Sequence, residues 1–82
     1  MKNTIISALL DKRTEDAPDV QEIFTRHGCV INVRLGVHEL KGCSDNGLIL
    51  LVTSGEDDQI DDLISDLEAH PRLKINTMDV LQ

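Results

Sequence analysis

The chain has 82 residues, of which 40% are hydrophobic and 28% are charged, and its formal net charge is −7. This length allows one domain over residues 1–82, and the composition is globular, which excludes a disordered chain. Residues 42–82 hold two basic and nine acidic side chains, whereas residues 1–41 hold six of each. Because the phosphates of nucleic acids repel a negative protein, we expect no direct binding to nucleic acid.

The sequence also excludes membrane and disulfide-rich proteins. No apolar run approaches the roughly 20 residues of a membrane-spanning helix, and the run after Lys2 is too short for a secretory signal. Two cysteines, Cys29 and Cys43, are too few for a disulfide framework. We therefore expect a cytoplasmic protein with free thiols and no membrane contact. Cys29 follows a predicted helix end that disfavours a thiolate, so we expect a buried, unreactive side chain.

The first half of the chain predicts a strand, a helix and a second strand. An apolar run near the start predicts the first strand. The helix is expected to begin at Asp16 or Ala17, because aspartate is a good N-cap and Pro18 would then lie in the first turn. Gly28 is expected to end it in a left-handed conformation. The alternation that follows predicts a half-buried strand with four apolar residues on one face: Ile31, Val33, Leu35 and Val37.

The second half of the chain repeats this order. A polar segment over residues 38–46 predicts a hairpin loop, and the next strand is apolar on both faces. A second helix is predicted over about residues 56–69, since Pro71 disfavours helical geometry in the residue before it. Leu73 and Ile75 mark the inward face of a last strand. The buried stripes of the two predicted helices recur forty positions apart: Val20, Ile23, Phe24 and His27, then Ile60, Leu63, Ile64 and Leu67.

Two strand-helix-strand units joined by right-handed crossovers predict an α+β fold, the ferredoxin-like βαββαβ sandwich. Its four-stranded antiparallel sheet carries two helices on one face, and the first and third strands are central. Both central strands are apolar on each face, so apolar side chains must also lie on the face that the helices leave open. A monomer rarely exposes such a patch. We therefore predict a homo-oligomer, a dimer or tetramer, in which a second copy covers this face.

A metal site is one alternative function. His38 and Cys43 flank the predicted hairpin and offer the nitrogen and sulfur ligands that transition metals accept. No Cys-x-x-Cys pair accompanies them in the sequence. Our expectation is therefore no cofactor, and a metal-responsive domain that uses His38 and Cys43 is kept as the alternative.

The second predicted helix is strongly acidic, with like-charged residues four positions apart, such as Asp57 with Asp61 and Asp58 with Asp62. A solvated helix face explains this pattern, and the spacing of a calcium loop is absent from the sequence. The alternative is an adaptor subunit that docks a basic partner through this helix. We do not expect an enzyme, because the sequence shows neither a Ser/His/Asp set nor a glycine-rich phosphate loop.

The sequence resembles ACT-type regulatory domains over nearly its whole length. Residues 23–37 resemble their passage from helix to strand, and residues 47–52, 57–67 and 73–75 resemble their second half. The chain is especially similar to short stand-alone proteins described as iron-only hydrogenase system regulators. The similarity lies in the Arg34-Leu-Gly36 step and in residues 53–60. The C-terminal domain of nickel-responsive repressors resembles this chain in the order of its strands and helices.

These resemblances imply a non-enzymatic regulator that binds a small-molecule effector or a partner protein at subunit interfaces. A ligand site is expected near the first connector and the end of the second strand. There Asp11 would accept a hydrogen bond, Arg34 would hold a carboxylate and Gly36 would let the ligand approach the backbone. The nickel repressors imply a metal site instead, in which His38 and Cys43 would take the place of their histidines and cysteine.

Overall fold

The computed structural model describes residues 1–10, 13–37 and 47–80, and it describes residues 13 and 14 by their backbone alone. A short 3-10 helix at Gly28–Val30 leads from the first helix into the second strand. No helix in these ranges is both long and apolar enough to cross a membrane. The strands and helices follow one another in the predicted order: β1 (Lys2–Leu10), α1 (Arg13–Arg26), β2 (Ile31–Val37), β3 (Gly47–Gly55), α2 (Asp57–Glu68) and β4 (Leu73–Asp79).

The four strands form one antiparallel sheet in the order β2-β3-β1-β4. The prediction that the first and third strands are central is therefore confirmed. Ile6 of β1 pairs with Leu51 of β3, and both are fully buried on the side of the helices. Ile5 pairs with Val52, and both point to the other face, because side chains alternate along a strand. This arrangement is the predicted ferredoxin-like fold.

The core lies between the sheet and the two helices. Residues of α2 at intervals of three and four, Ile60, Leu63 and Leu67, are fully buried, as the apolar stripe predicts. Val20 and Phe24 of α1 pack into the same core. Each large side chain removed from water in this way contributes about 1.5–3 kcal/mol to folding.

Helix α1 begins at Arg13, earlier than the predicted Asp16 or Ala17. Pro18 therefore lies beyond the first turn, where its nitrogen has no hydrogen to donate to the preceding turn. Asp16 is not an N-cap. Its side chain is 3% exposed and binds Arg72, a residue 56 positions away. The predicted start was wrong because the local pattern cannot show this distant partner.

Two predictions for the segment after α1 were also wrong. Gly28 does not adopt a left-handed conformation, because it begins the 3-10 helix. Cys29 is exposed, whereas Val30, the next residue, is only 5% exposed. The short helix turns Val30 into the core and leaves the thiol of Cys29 at the surface.

Strand β2 contains an irregularity that the sequence does not reveal. Ile31 pairs with Thr53, but Val33 pairs with Val52, so the register shifts between Ile31 and Val33. Thr53 is buried on the helix side, and Ile31 packs against the core there. Val33 and the apolar residues after it point away from the helices, on the same face as Val52. The prediction that Ile31 shares a face with them was therefore wrong, since an extra residue shifts the alternation.

Replacing Gly55, the buried last residue of β3, with alanine should lower the free energy of unfolding by about 1–3 kcal/mol. A Cβ at this position would lie 2.8 Å from Cγ1 of Val30, a buried β-branched side chain with little rotational freedom. Urea denaturation measures the effect. Gly36→Ala is the matched control, because a Cβ at Gly36 meets nothing within 4 Å. An equal loss in both variants would show that the contact with Val30 is not the cause.

Candidate functional site

A cavity of about 200 Å³ lies between α1 and the end of the sheet where β1 stops and β3 starts. Helix α1 faces it with residues of its buried stripe, and β2 and β3 form the opposite wall. The wall residues are almost all apolar and include Leu10, Ala17, Val20, Gln21, Gly36 and Ile49. The cavity thus lies near the end of the second strand, where the sequence predicts a ligand site.

Gly36 leaves one wall of this cavity as bare backbone. It pairs with Ile49, whose side chain packs against the core, and residues that pair directly across strands share a face. A side chain at position 36 would therefore point toward α1. A Cβ there would meet no other atom within 4 Å. Packing does not require glycine at this position, so a larger side chain would extend into the cavity.

Arg34 lies two residues before Gly36, on the same face of β2. Its guanidinium carbon is 5.0 Å from the centroid of the Phe24 ring, and its Nη2 donates a hydrogen bond to Oε1 of Gln21. Gln21 also lines the cavity. These contacts hold a positive charge beside an apolar space. Within residues 1–10, 13–37 and 47–80, no carboxylate forms an ion pair with Arg34.

The structure brings together two of the predicted site residues, Arg34 and Gly36. The other three, Asp11, His38 and Cys43, lie outside the described residues. The metal site at His38 and Cys43 therefore stays a prediction, as does the role of Asp11. Gln21 and Phe24 were missed, because the sequence marks Phe24 as core and Gln21 as a surface residue of α1.

A second cluster joins the N-terminal part of α1 to the turn before β4. Atoms of Asp16, Asp19 and His70 that could ligate a metal lie within 4.8 Å of one another. Asp16, however, already binds Arg72 through both carboxylate oxygens, at 2.7 Å from Nε and 2.5 Å from Nη2. Sequence reasoning missed this cluster because its members come from opposite halves of the chain.

The hydrogen bonds of His70 also disfavour a metal in this cluster. Its Nδ1 accepts a hydrogen bond from the backbone N–H of Arg72 at 3.3 Å, so the neutral ring carries its hydrogen on Nε2. That nitrogen is the one that faces the acids, at 4.0 Å from Asp16 and 3.7 Å from Asp19. A metal at Nε2 would require the opposite tautomer. The geometry fits an ion-pair network that fixes α1 to the turn before β4.

A third group links the end of α1 to the acidic helix α2. Nε2 of His27 lies 2.6 Å from Oδ2 of Asp66, and Nη1 of Arg26 lies 3.6 Å from the same oxygen. The hydrogen bond with His27, together with the charge of Arg26, lowers the pKa of the Asp66 carboxyl. Asp66 is therefore ionised at neutral pH and bound to α1. The other acidic residues of α2 are exposed: Asp57, Asp58, Asp61, Asp62 and Glu68.

Comparison with known proteins identifies the fold alone. No family model and no curated protein sequence matches the chain. Among solved structures, the uncharacterized protein TM1266 from Thermotoga maritima has a TM-score of 0.86 and 19% identity, and the match covers 98% of both chains. A formyltetrahydrofolate deformylase from Burkholderia mallei has a TM-score of 0.68 and 14% identity over 94% of this chain. The match spans only 28% of that enzyme.

The nitrogen regulatory PII-like protein CPII from Thiomonas intermedia K12, bound to ADP, AMP and bicarbonate, is also similar. Its TM-score is 0.62 at 13% identity, and the match covers 100% of this chain and 93% of CPII. At such identities a likeness establishes shared architecture and no shared activity. The chain thus has the same fold as a small regulatory protein and as a minor part of an enzyme.

Proposed function

We propose that this chain is a non-enzymatic regulatory domain that works as a homo-oligomer and binds a small carboxylate effector beside α1. The observation that carries the proposal is the hydrogen bond from Arg34 to Gln21, a residue that lines the apolar cavity. An apolar space with one charged group nearby is the usual design of a small-molecule site, because the apolar walls contribute affinity and the charge orients the ligand.

The dimensions of the cavity define the class of ligand. Its volume of about 200 Å³ is below the roughly 300–1,000 Å³ of pockets for drug-sized ligands. A short aliphatic acid suits this space, with its tail against Val20 and Ile49 and its carboxylate at Arg34. A guanidinium binds a carboxylate through two parallel hydrogen bonds. A structure of CPII bound to ADP, AMP and acetate supports the presence of small carboxylates on this fold.

A binding role is favoured over catalysis by the chemistry of the walls. None of the described residues that line the cavity carries a titratable or nucleophilic side chain. An enzyme would need an acid, a base or a nucleophile within reach of the ligand. The sequence resemblance to iron-only hydrogenase system regulators supports a role in regulating that system, and we propose it as the process in which the chain acts.

The proposal is tested by thermal unfolding of the wild type with a panel of straight and branched carboxylic acids of four to six carbons. At least one acid should raise the Tm in a concentration-dependent way, because a ligand of the native state stabilises it. Gly36→Leu should abolish the rise by filling the cavity. Arg34→Gln should weaken binding of the acid at least tenfold but leave binding of the matching amide unchanged, since only the acid carries a charge.

Arg26→Gln is the control for Arg34→Gln, because it removes an exposed arginine of α1 whose ion-pair partner, Asp66, does not line the cavity. The control should bind the acid like the wild type. The proposal fails if no acid of the panel raises the Tm of the wild type, or if Gly36→Leu binds as tightly as the wild type does.

A further inference from the structure

The face of the sheet that the helices leave open carries large apolar side chains among smaller polar ones, and it is uncovered in the single chain. Val33 and Leu35 of β2 are 53% and 54% exposed, and Met78 of β4 is 60% exposed. Leu35 pairs with Leu50 of β3, so two leucines lie side by side, one on the edge strand β2 and one on the neighbouring central strand β3. We call this surface the open face: the side chains of β1–β4 that point away from α1 and α2.

The charge distribution distinguishes the open face from the rest of the molecule. The chain has a net charge of −7, yet no acidic residue of the described strands points to this face. Lys74 of β4 is its single charged side chain within those strands, because Lys2 and Asp79 lie on the helix side. Two copies can therefore meet here without opposing carboxylates. The centres of protein interfaces are depleted of charge in the same way.

The open face has room for an interface close to the standard size. The two longer dimensions of the molecule, 37 and 22 Å, set an upper limit of about 800 Å² for one face, and each partner of a standard interface contributes about 800 Å². The exposed acidic residues of α2 lie on the opposite side of the molecule. Their mutual repulsion disfavours contact between two copies through the helices and leaves the open face as the self-complementary surface.

We propose that two copies of this chain pack open face against open face, related by a two-fold axis, with Leu50 of the central strand β3 in the buried centre and Leu35 and Met78 toward its two edges. A two-fold axis makes the same residues contact one another in both directions, so a single apolar patch is enough. The inference rests on the homo-oligomer of the proposed function and adds the surface through which it forms. It leaves the cavity beside α1 outside this interface, because the cavity lies on the helix side of the sheet.

The test uses three single variants, each with one added negative charge. Two of the charges lie at opposite edges of the open face, and the third lies on α2. Leu35→Glu lies on the edge strand β2, and Met78→Glu lies on the opposite edge strand β4. Ser65→Glu is the control, because it places the same charge on an exposed position of α2. Sedimentation velocity from 1 to 100 µM should show an oligomeric wild type and control. Each open-face variant should weaken the open-face association at least 100-fold, because it buries a carboxylate against its own copy.

Each outcome decides the inference. A wild type that stays monomeric at 100 µM overturns it together with the proposed homo-oligomer. If the oligomer persists in both open-face variants, the open face is not its interface, although the chain is still a homo-oligomer. An oligomer that is lost in only one of these two variants assigns the contact to the edge strand of that variant, β2 for Leu35→Glu and β4 for Met78→Glu, and also overturns the inference.

Circular dichroism shows whether the variants fold. Because both side chains are more than half exposed, we expect them to. If a charged variant does not fold, the milder polar variants Leu35→Thr and Met78→Thr replace it. Binding of the carboxylate panel is measured separately on the same samples, so loss of the oligomer and loss of the ligand site remain distinguishable.

Discussion

Phe24→Ala is expected to lower the free energy of unfolding by about 3–5 kcal/mol. Phe24 is the only aromatic residue of the chain, and it is 2% exposed in the core between α1 and the sheet. Alanine would leave a large void among residues that cannot collapse to fill it. A domain of this size has a total stability of roughly 4–12 kcal/mol, so a large part of it would be lost. Urea denaturation followed by circular dichroism measures the change.

Two further variants separate the roles of the ring. Thr25→Ala is the control, because Thr25 is exposed and its hydroxyl only donates to the carbonyl of Gln21, so the change should stay below about 0.5 kcal/mol. Phe24→Leu keeps most of the apolar volume but removes the ring beneath Arg34. It should cost less stability than alanine and still weaken carboxylate binding. A loss below 1 kcal/mol in Phe24→Ala would contradict the central place of this ring in the core.

Arg72→Met is expected to lower the free energy of unfolding by about 3 kcal/mol, at the low end of the range for breaking a buried ion pair. Its guanidinium bonds both carboxylate oxygens of Asp16, whose side chain is only 3% exposed. In this variant the buried carboxylate of Asp16 loses the guanidinium that binds both of its oxygens, and methionine cannot replace it. Arg72 is itself 46% exposed, and water can reach the site once the arginine is gone, which limits the loss.

The double variant Asp16→Val with Arg72→Met should recover most of that stability, because it removes the buried carboxylate together with the guanidinium. Arg26→Met provides the comparison at an exposed ion pair. Its partner Asp66 is 39% exposed and lies 3.6 Å away, so the loss should be at most about 1 kcal/mol. Equal losses in Arg72→Met and Arg26→Met would mean that the burial of Asp16 has no energetic consequence.

The features that the sequence predicts correctly are periodic ones. The spacing of Ile60, Leu63 and Leu67 predicts the buried side of α2. The repeated strand-helix-strand order predicts that β1 and β3, which are apolar on both faces, are central. These predictions succeed because the side chains on one face of a helix or strand recur with the period of that element, so the local sequence alone shows which residues are buried. Self-association follows from the same pattern and awaits the sedimentation experiment.

The features that the sequence does not predict depend on distant partners or on one extra residue. Asp16 has the residue type of an N-cap, but its partner Arg72 comes from the other half of the chain. The shift after Ile31 changes which face that residue joins, and no local pattern marks it. The exposure of Cys29 is not predicted either, because the short 3-10 helix over Gly28–Val30 turns Val30 into the core in its place.

The ligand site stays a prediction, and the structure gives only its surroundings. Resemblance to known regulators points to Arg34 and Gly36; Gly36 lines the cavity, and Arg34 binds Gln21, which also lines it. Gln21 and Phe24, which hold the guanidinium, could not be identified because the contact requires α1 to lie across β2. One signal was available: Gln21 and Phe24 are three residues apart, so they share a side of α1. That spacing has meaning for the site only once the fold is known.

A titration of the ¹⁵N-labelled protein, followed by two-dimensional NMR, shows whether an effector binds between α1 and β2. The ligand is the carboxylic acid that raises the Tm most. We expect saturable chemical-shift changes at the amides of Ala17, Gln21 and Gly36 in the wild type, and none at these positions in Gly36→Leu. Changes confined to α2 or to the open face, or no saturable change at millimolar acid, would contradict an effector site between α1 and β2.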